Sequence, residues 1–356
     1  MSAFTESITM SDNNKAFYIR VDGGPAIGAG HIVRCVSIAK EIEKQGFQIV
    51  FVSSGEESSK ILSEYGYEPI LVGGDLKHLG ISDAKKLRSV MRDGDKVLVD
   101  SYGVTDEFFK SCKELGLKVA YIDDMYTFET GSLSAPVRRD VDIVINYSFG
   151  FTEKDYEKVY GESSTKLLIG PQYAPVREVF RKKAGQYQVH EELKKVLITT
   201  GSTNPNKSLE RLSKACREAL SDAEISVVVG NSATFDDELV KELGLTLIKG
   251  ATDLSDYMLE SDLVISAAGT TLYELCTLGV PTIAVPIVEN QLVNANGFYS
   301  LIYESSFRIN NLDIIKGFIP SLDLKTRSFI NRNMSYCQNK NSLISIRNEL
   351  IAFTKP

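Results

Sequence analysis

Short apolar runs recur along the chain, each followed by a longer amphipathic stretch, and that rhythm constrains the fold more than any other feature. The first series reads AFYIRVD, QIVFVSS, EPILVG, KVLVDSY, KVAYIDD, DIVINYS and TKLLIG. Runs apolar at consecutive positions suit strands covered on both faces. The segments between them, such as IVRCVSIAKEIEKQG and TDEFFKSCKELG, carry helical periodicity. Strands alternating with helices predict a doubly wound parallel sheet, because parallel neighbours need a crossover connection. The rhythm stops between Pro171 and Glu192, where PQYAPVREVFRKKAGQYQVHEE has two prolines, clustered charge and no strand run. It resumes with KKVLITTGS, EISVVVG, LTLIKG, DLVISAA and PTIAVPI. The expected fold is α/β, with two Rossmann-like domains facing across a cleft. The expected bounds are 16–170 for the first domain, 193–305 for the second and 306–356 for a polar, helical tail. Ligand is expected between the domains, outside the carboxyl ends of the strands.

At 356 residues the chain is long enough for two such cores. A net charge of −7 supplies no general attraction to nucleic acid or to an anionic membrane, so any phosphate must be gripped locally. The leader MSAFTESITMSDNNK lacks the apolar centre of a signal peptide. No run approaches the roughly 20 apolar residues of a membrane span. Cys35, Cys112, Cys216, Cys276 and Cys337 are scattered without CxxC spacing, which fits a reducing compartment. A cytoplasmic monomer with a small-molecule partner, and no nucleic acid or membrane partner, is expected.

The loop RVDGGPAIGAGHIVRC, Arg20–Cys35, holds Gly23, Gly24, Gly28 and Gly30 between the first strand run and the first helical stretch. A GxGxxG fingerprint would begin at Gly28, but its third glycine position is Val33. The second strand run ends in Ser53-Ser54, without the acid that would grip a ribose hydroxyl. A dinucleotide cofactor is therefore not expected. His31 opens the helix. Glycines before it let backbone approach a ligand, and a helix N-terminus favours neutral imidazole over imidazolium, which suits a general base. The alternative is a turn histidine beside a structural loop.

A second candidate lies in DLVISAAGTTLYELCTLGVPTIAVP, Asp262–Pro286. Gly269, Thr270 and Thr271 end a strand run and open a helix, placing amides, hydroxyls and the positive helix end where a diphosphate can bind. Glu274 follows one turn later, where a carboxylate can accept from a ribose diol. Threonine capping is the alternative. Gly201, Ser202 and Thr203 form a matching turn after KKVLITT, and Glu289, Asn290 and Gln291 stand at another strand end, suited to sugar hydroxyls. The pairs Asp93/Asp95 and Asp140/Asp142 read as solvated loop carboxylates, and no metal is expected. No GxSxG occurs, and His78 and His190 stand in polar, loop-like surroundings.

Taken in order, IGAGHIVRC, VDSYG, YIDDMY, INYSFG, GPQYAPVREVF, TTGSTNPNKSL and SAAGTTLYELCTLGVPTIAVPIVENQ resemble the UDP-2,4-diacetamido-2,4,6-trideoxy-β-L-altropyranose hydrolases of pseudaminic acid biosynthesis. The likeness covers roughly residues 17–300. Those enzymes belong to the GT-B superfamily and are similar to the lipid-linked N-acetylglucosaminyltransferase of peptidoglycan synthesis. The resemblance implies that His31 activates water, with Gly30 and Arg34 of the same motif against the substrate. It implies that Gly269, Thr270 and Thr271 bind the UDP diphosphate and Glu274 the ribose. Tyr102 and Asp123 or Asp124 would approach the sugar or orient His31. Tyr173 and Arg177 would lie near the cleft, or fasten the hinge between domains. The implied reaction is water attack at C1 with inversion and loss of UDP, without cofactor or metal. A transferase would use the same site with an acceptor hydroxyl, and a non-catalytic nucleotide-sugar binder would keep the site without turnover. The leader and the tail after about residue 305 exceed a minimal member of that family, and spore-coat polysaccharide relatives share the motifs, so the exact nucleotide sugar stays open.

Overall fold

The computed structural model describes residues 15–24, 27–92, 94–123, 138–230, 233–303, 312–336 and 341–352. The first seven runs form strands β1 (Ala16–Val21), β2 (Gln48–Ser53), β3 (Ile70–Leu71), β4 (Lys96–Asp100), β5 (Lys118–Ile122), β6 (Ile143–Asn146) and β7 (Lys166–Ile169). They make one parallel sheet in the order β3-β2-β1-β4-β5-β6-β7. The second series gives β8 (Lys195–Thr199), β9 (Glu224–Val229), β10 (Leu245–Lys249), β11 (Leu263–Ala267) and β12 (Thr282–Val285), parallel in the order β10-β9-β8-β11-β12. Strands stop short of the apolar runs wherever the run ends in polar residues that turn into a loop, as at Asp100 and Asn146. EPILVG yields the shortest strand. It follows Pro69 and sits at the sheet edge with β2 as its one neighbour, and proline cannot donate to a ladder.

Alternation along β1 sends Phe17, Ile19 and Val21 to one face and Tyr18 to the other. The first face is covered by the helix Gly30–Glu43 through Ile32, Cys35 and Ile38. The second is covered by the helices Ile81–Val90 and Asp106–Glu114 through Ala84, Leu87, Phe108 and Phe109. The core on the first face continues without a break into the second half, where it takes in Val196, Ile198, Val264 and Leu275. The two halves therefore share apolar contact and do not meet through water alone.

Between the sheets the chain forms a 3-10 turn, Pro171–Tyr173, and a short helix, Glu178–Lys182. After β12 it is helical, including Leu292–Ile302, Leu312–Phe318, Leu324–Tyr336 and Ser342–Ala352. The last of these returns to the first half. It packs on the Gly30–Glu43 helix and the Pro171–Tyr173 turn, burying Leu343, Ile346 and Leu350, and Glu349 pairs with Lys166.

Asp140 pairs with Lys113 at 2.6 Å, and Asp142 pairs with Lys118 at 3.1 Å while accepting from the Val119 N–H. Asp93 lies outside the described residues. Among the described residues, no group of three or more His, Cys, Asp or Glu is placed to hold a metal, and no helix is long and apolar enough to cross a membrane. Cys35, Cys112, Cys216 and Cys276 are buried thiols outside any disulfide, and Cys337 lies outside the described residues.

Candidate active site

Each sheet has one place where the strand order reverses: between β1 and β4 in the first, and between β8 and β11 in the second. Loops leaving neighbouring strands there diverge to opposite faces and open a crevice, the usual ligand position in open α/β sheets. His31 follows β1, Asp100 ends β4, Gly201 follows β8 and Gly269 follows β11.

His31, Arg34 and Cys35 occupy positions i, i+3 and i+4 of the first helix and so share one face. All three converge on Asp100, which is 1% exposed. His31 Nδ1 is 2.6 Å from Asp100 Oδ1. Arg34 donates from Nε to Oδ2 at 2.5 Å and from Nη2 to Oδ1, and the Cys35 thiol donates to Oδ2 at 3.4 Å. Burial alone would push the Asp100 carboxyl up. The charges of Arg34 and His31 outweigh it and hold the group well below the usual aspartate range. When His31 donates Nδ1–H to Asp100, the lone pair is on Nε2, where a base needs it. The Tyr102 ring stands edge-on to the imidazole, 4.4 Å between centroids. Arg34 Nη1 donates to the Tyr147 hydroxyl at 2.6 Å.

A cavity of about 160 Å³ joins the two halves at this point. His31, Arg34 and Tyr102 line it from one side, and Gly269, Thr270 and Asn290 from the other. Thr271 opens the helix Thr271–Leu278, and Thr270 makes no side-chain cap bond, so the threonine-cap alternative is not what its hydroxyl does. In its first turn the Leu272 and Tyr273 N–H groups donate to the Gly269 and Thr270 carbonyls, both at 3.1 Å, which leaves the amides at the very start of the helix to face the cleft. Asn290 Nδ2 donates to the Tyr102 hydroxyl at 3.3 Å, and Gln291 Oε1 accepts from the Ile287 N–H at 3.1 Å. Gly28 and Ser202 face each other across the crevice: a Cβ on Gly28 would stand 3.8 Å from Ser202 Oγ. The Gly201 turn requires its positive φ of 83°, and the Thr203 carbonyl closes it by accepting from Thr200 Oγ1 at 2.7 Å.

The other expected residues are placed differently. Both Glu274 oxygens are held by Arg177, Nε to Oε1 at 2.6 Å and Nη2 to Oε2 at 3.1 Å. Arg177 also donates to the Thr252 carbonyl at 2.6 Å and lies over the Phe180 ring. Burial raises the Glu274 carboxyl above its ordinary value, and Arg177 offsets this in part. Arg177 thus ties the connection between the halves to the second one, which is the hinge-fastening alternative. Tyr173 is partly buried beside the last helix, near Glu349. Asp123 is buried and accepts from the Tyr156 hydroxyl at 2.8 Å, with Asn146 donating to the same hydroxyl at 2.7 Å. Asp124 lies outside the described residues. The carboxylate that meets His31 is that of Asp100. Glu289 is exposed at the rim.

Sequence reasoning passed over Asp100, Tyr147 and Asn294. Asp100 carried a signal: it is the acid that closes the apolar run KVLVD on the strand next to β1. Asn294 carried none. Its Oδ1 accepts from the Phe149 N–H at 3.0 Å, Ser148 Oγ at 3.3 Å and the Tyr273 hydroxyl at 2.7 Å, while Nδ2 donates to the Ala268 carbonyl at 2.8 Å. Phe149 stacks on Tyr273, 4.7 Å between centroids with planes 4° apart.

Residues 195–341 match the glycosyltransferase family 28 C-terminal domain. An uncharacterized protein of Methanocaldococcus jannaschii, MJ1062, is 27% identical over 290 residues, covering 77% of this chain and 56% of that protein, so the chain spans little more than half of that relative. The spore coat polysaccharide biosynthesis protein SpsG of Bacillus subtilis is 24% identical over 287 residues, covering 79% of this chain and 80% of SpsG. Acinetobacter baumannii MurG superposes with a TM-score of 0.62 at 17% identity, over 95% of this chain and 99% of MurG. Phytolacca americana UGT2, solved with UDP-2-fluoro-glucose and pterostilbene, superposes at 0.63 with 12% identity, over 96% of this chain and all of UGT2. The fold is GT-B. In the GT-B arrangement seen here, His31 and the Thr271–Leu278 helix stand on opposite walls of one cleft, brought there by different sheets.

Proposed function

We propose that this protein hydrolyses a UDP-linked diacetamido sugar, releasing UDP by water attack at the anomeric carbon, with UDP-2,4-diacetamido-2,4,6-trideoxy-β-L-altropyranose as substrate. The observation that carries the reading is the His31–Asp100 pair facing the Gly269–Thr271 helix start across a single cleft. His31 Nε2 takes a proton from water as the water oxygen bonds to C1. The C1–O bond breaks on the opposite face, and its electron pair leaves on the β-phosphate oxygen of UDP, inverting C1. Asp100 fixes the imidazole and stabilises the imidazolium formed in the step. Amides and the positive end of the Thr271–Leu278 helix stabilise the charge that grows on the diphosphate. Gly201–Thr203 and Asn290–Gln291 contact phosphate or sugar hydroxyls, and Glu274 accepts from the ribose while remaining paired with Arg177.

The family 28 match over the second half, the likeness to a spore coat polysaccharide protein and the UDP-sugar bound to UGT2 all support a nucleotide-sugar substrate. A transferase reading is favoured by the glycosyltransferase family match and would place an acceptor hydroxyl where water stands.

The test is incubation with the UDP-diacetamido sugar without acceptor, following UDP and free sugar. Release by the wild type, with at least a hundredfold loss in His31→Ala and ¹⁸O from water entering the sugar, is the expected result. Release that requires an added acceptor would replace the hydrolase reading with the transferase one. No release under either condition would leave a binder.

A further inference from the structure

We propose that Tyr147 is a positioning residue which holds the Arg34 guanidinium on Asp100 and thereby settles which nitrogen of His31 carries the proton. The inference rests on His31 being the base, and its main readout does not depend on turnover.

Two groups meet at His31 Nδ1. Asp100 Oδ1 stands 2.6 Å away and Arg34 Nη2 2.8 Å away. The two contacts exclude each other as hydrogen bonds: a protonated Nδ1 donates to Asp100, whereas a bare Nδ1 accepts from Arg34. The first state leaves a lone pair on Nε2, ready for the proton of an attacking water. The second puts the proton on Nε2 and presents a donor there, which cannot act as the base. A guanidinium has donors only, so the choice depends on where its fork points. Nε and Nη2 reach Asp100, and Nη1 reaches the Tyr147 hydroxyl at 2.6 Å. That third bond fixes the remaining freedom of the plane. It keeps Nη2 aimed at the carboxylate, and Nδ1 keeps its proton.

Tyr147 is itself held by the other half of the molecule. It is 5% exposed, and its ring meets Tyr273 edge-on at 5.2 Å between centroids. Tyr273 lies in the first turn of the Thr271–Leu278 helix, whose N-terminal end lines the cleft. The protonation pattern of the base on one wall is therefore set through a side chain seated against the opposite wall.

The experiment uses the full chain labelled with ¹⁵N-histidine. Its three histidines, His31, His78 and His190, keep the spectrum sparse, and His31→Gln identifies the His31 signals. In the wild type, Nδ1 of His31 is expected at the shift of a protonated ring nitrogen and Nε2 at that of a bare one. In Tyr147→Phe both move towards intermediate values. If the substrate is turned over, kcat falls on the order of tenfold, a fraction of what a positioned base contributes, while KM and the affinity for UDP stay within about twofold. Arg34→Lys, which keeps the charge and removes the fork, must give the same nitrogen shifts, and it carries the test alone if Tyr147→Phe does not fold. Wild-type shifts in the folded variants would overturn the proposal, as would a loss of UDP affinity equal to the loss of kcat. Absence of turnover by the wild type would count against the hydrolase reading and leave the nitrogen shifts to decide this one.

Discussion

Asp100 is surrounded by donors from a single helix face, and the acid dependence of folding follows from that arrangement. Its carboxyl is lowered in the folded protein, so its ionised form contributes stability above the ordinary aspartate value of about 3.9. That contribution disappears as pH falls through this range towards the lower folded value. Asp100→Asn leaves Arg34 buried without its counter-charge, a loss of about 3–5 kcal/mol near neutrality. Urea unfolding of the two proteins is expected to give a gap that is steady between roughly pH 7 and 5 and narrows below about 4. A gap independent of pH would mean that Asp100 is not held ionised. Glu274 has the opposite sign. Burial raises its carboxyl despite Arg177, so its contribution is full below the ordinary glutamate range and is lost as pH rises through the raised folded value. Arg177→Ala removes the group that offsets burial. It is expected to destabilise the protein more at about pH 8 than at pH 5, by about 3–5 kcal/mol at the upper end, as read by thermal melts at the two pH values.

At the scale of elements, two helical glycines have opposite expectations. Gly317 lies in Leu312–Phe318 with nothing within 4 Å of an added Cβ, so Gly317→Ala should stabilise by about 0.5–1 kcal/mol through helix propensity. Gly297 lies in Leu292–Ile302, where a Cβ would stand 2.3 Å from the Phe149 carbonyl oxygen. Backbone cannot yield there as a side chain would, and Gly297→Ala is expected to cost about 1–3 kcal/mol. The two midpoints measured by calorimetry should move in opposite directions. This pair also marks the limit of what the sequence discloses. Strands such as KVLVD were readable because burial on both faces leaves an uninterrupted apolar run, and the helix start at Gly269 because glycine and hydroxyl residues gather where a strand ends. The seat of Phe149 on Gly297 and the bonds from Asn294 were not readable. Ser148 and Asn294 are 146 residues apart, and no local periodicity relates them. Asp100 lies between these cases: its position was visible, but its partners are set by which strands become neighbours.

Across the whole molecule, the halves are joined by a shared core and by the two hydrogen bonds that Asn294 accepts from Ser148 and Phe149. The expected consequence is one cooperative unfolding transition in denaturant. Asn294→Ala should lower stability by about 1–3 kcal/mol, because it leaves buried donors unmet, and should speed hydrogen exchange at Phe149. Two separate transitions in the wild type would show that the core contact between halves is too weak to couple them. The helix Leu324–Tyr336 packs on the second half and Ser342–Ala352 on the first, so the chain passes between halves twice, once after β7 and again after Tyr336. A single tether works as a swivel, whereas two tethers work as the pins of a door. Two pins resist twisting of one wall against the other, so the imidazole of His31 keeps one bearing on Thr270 across the cleft.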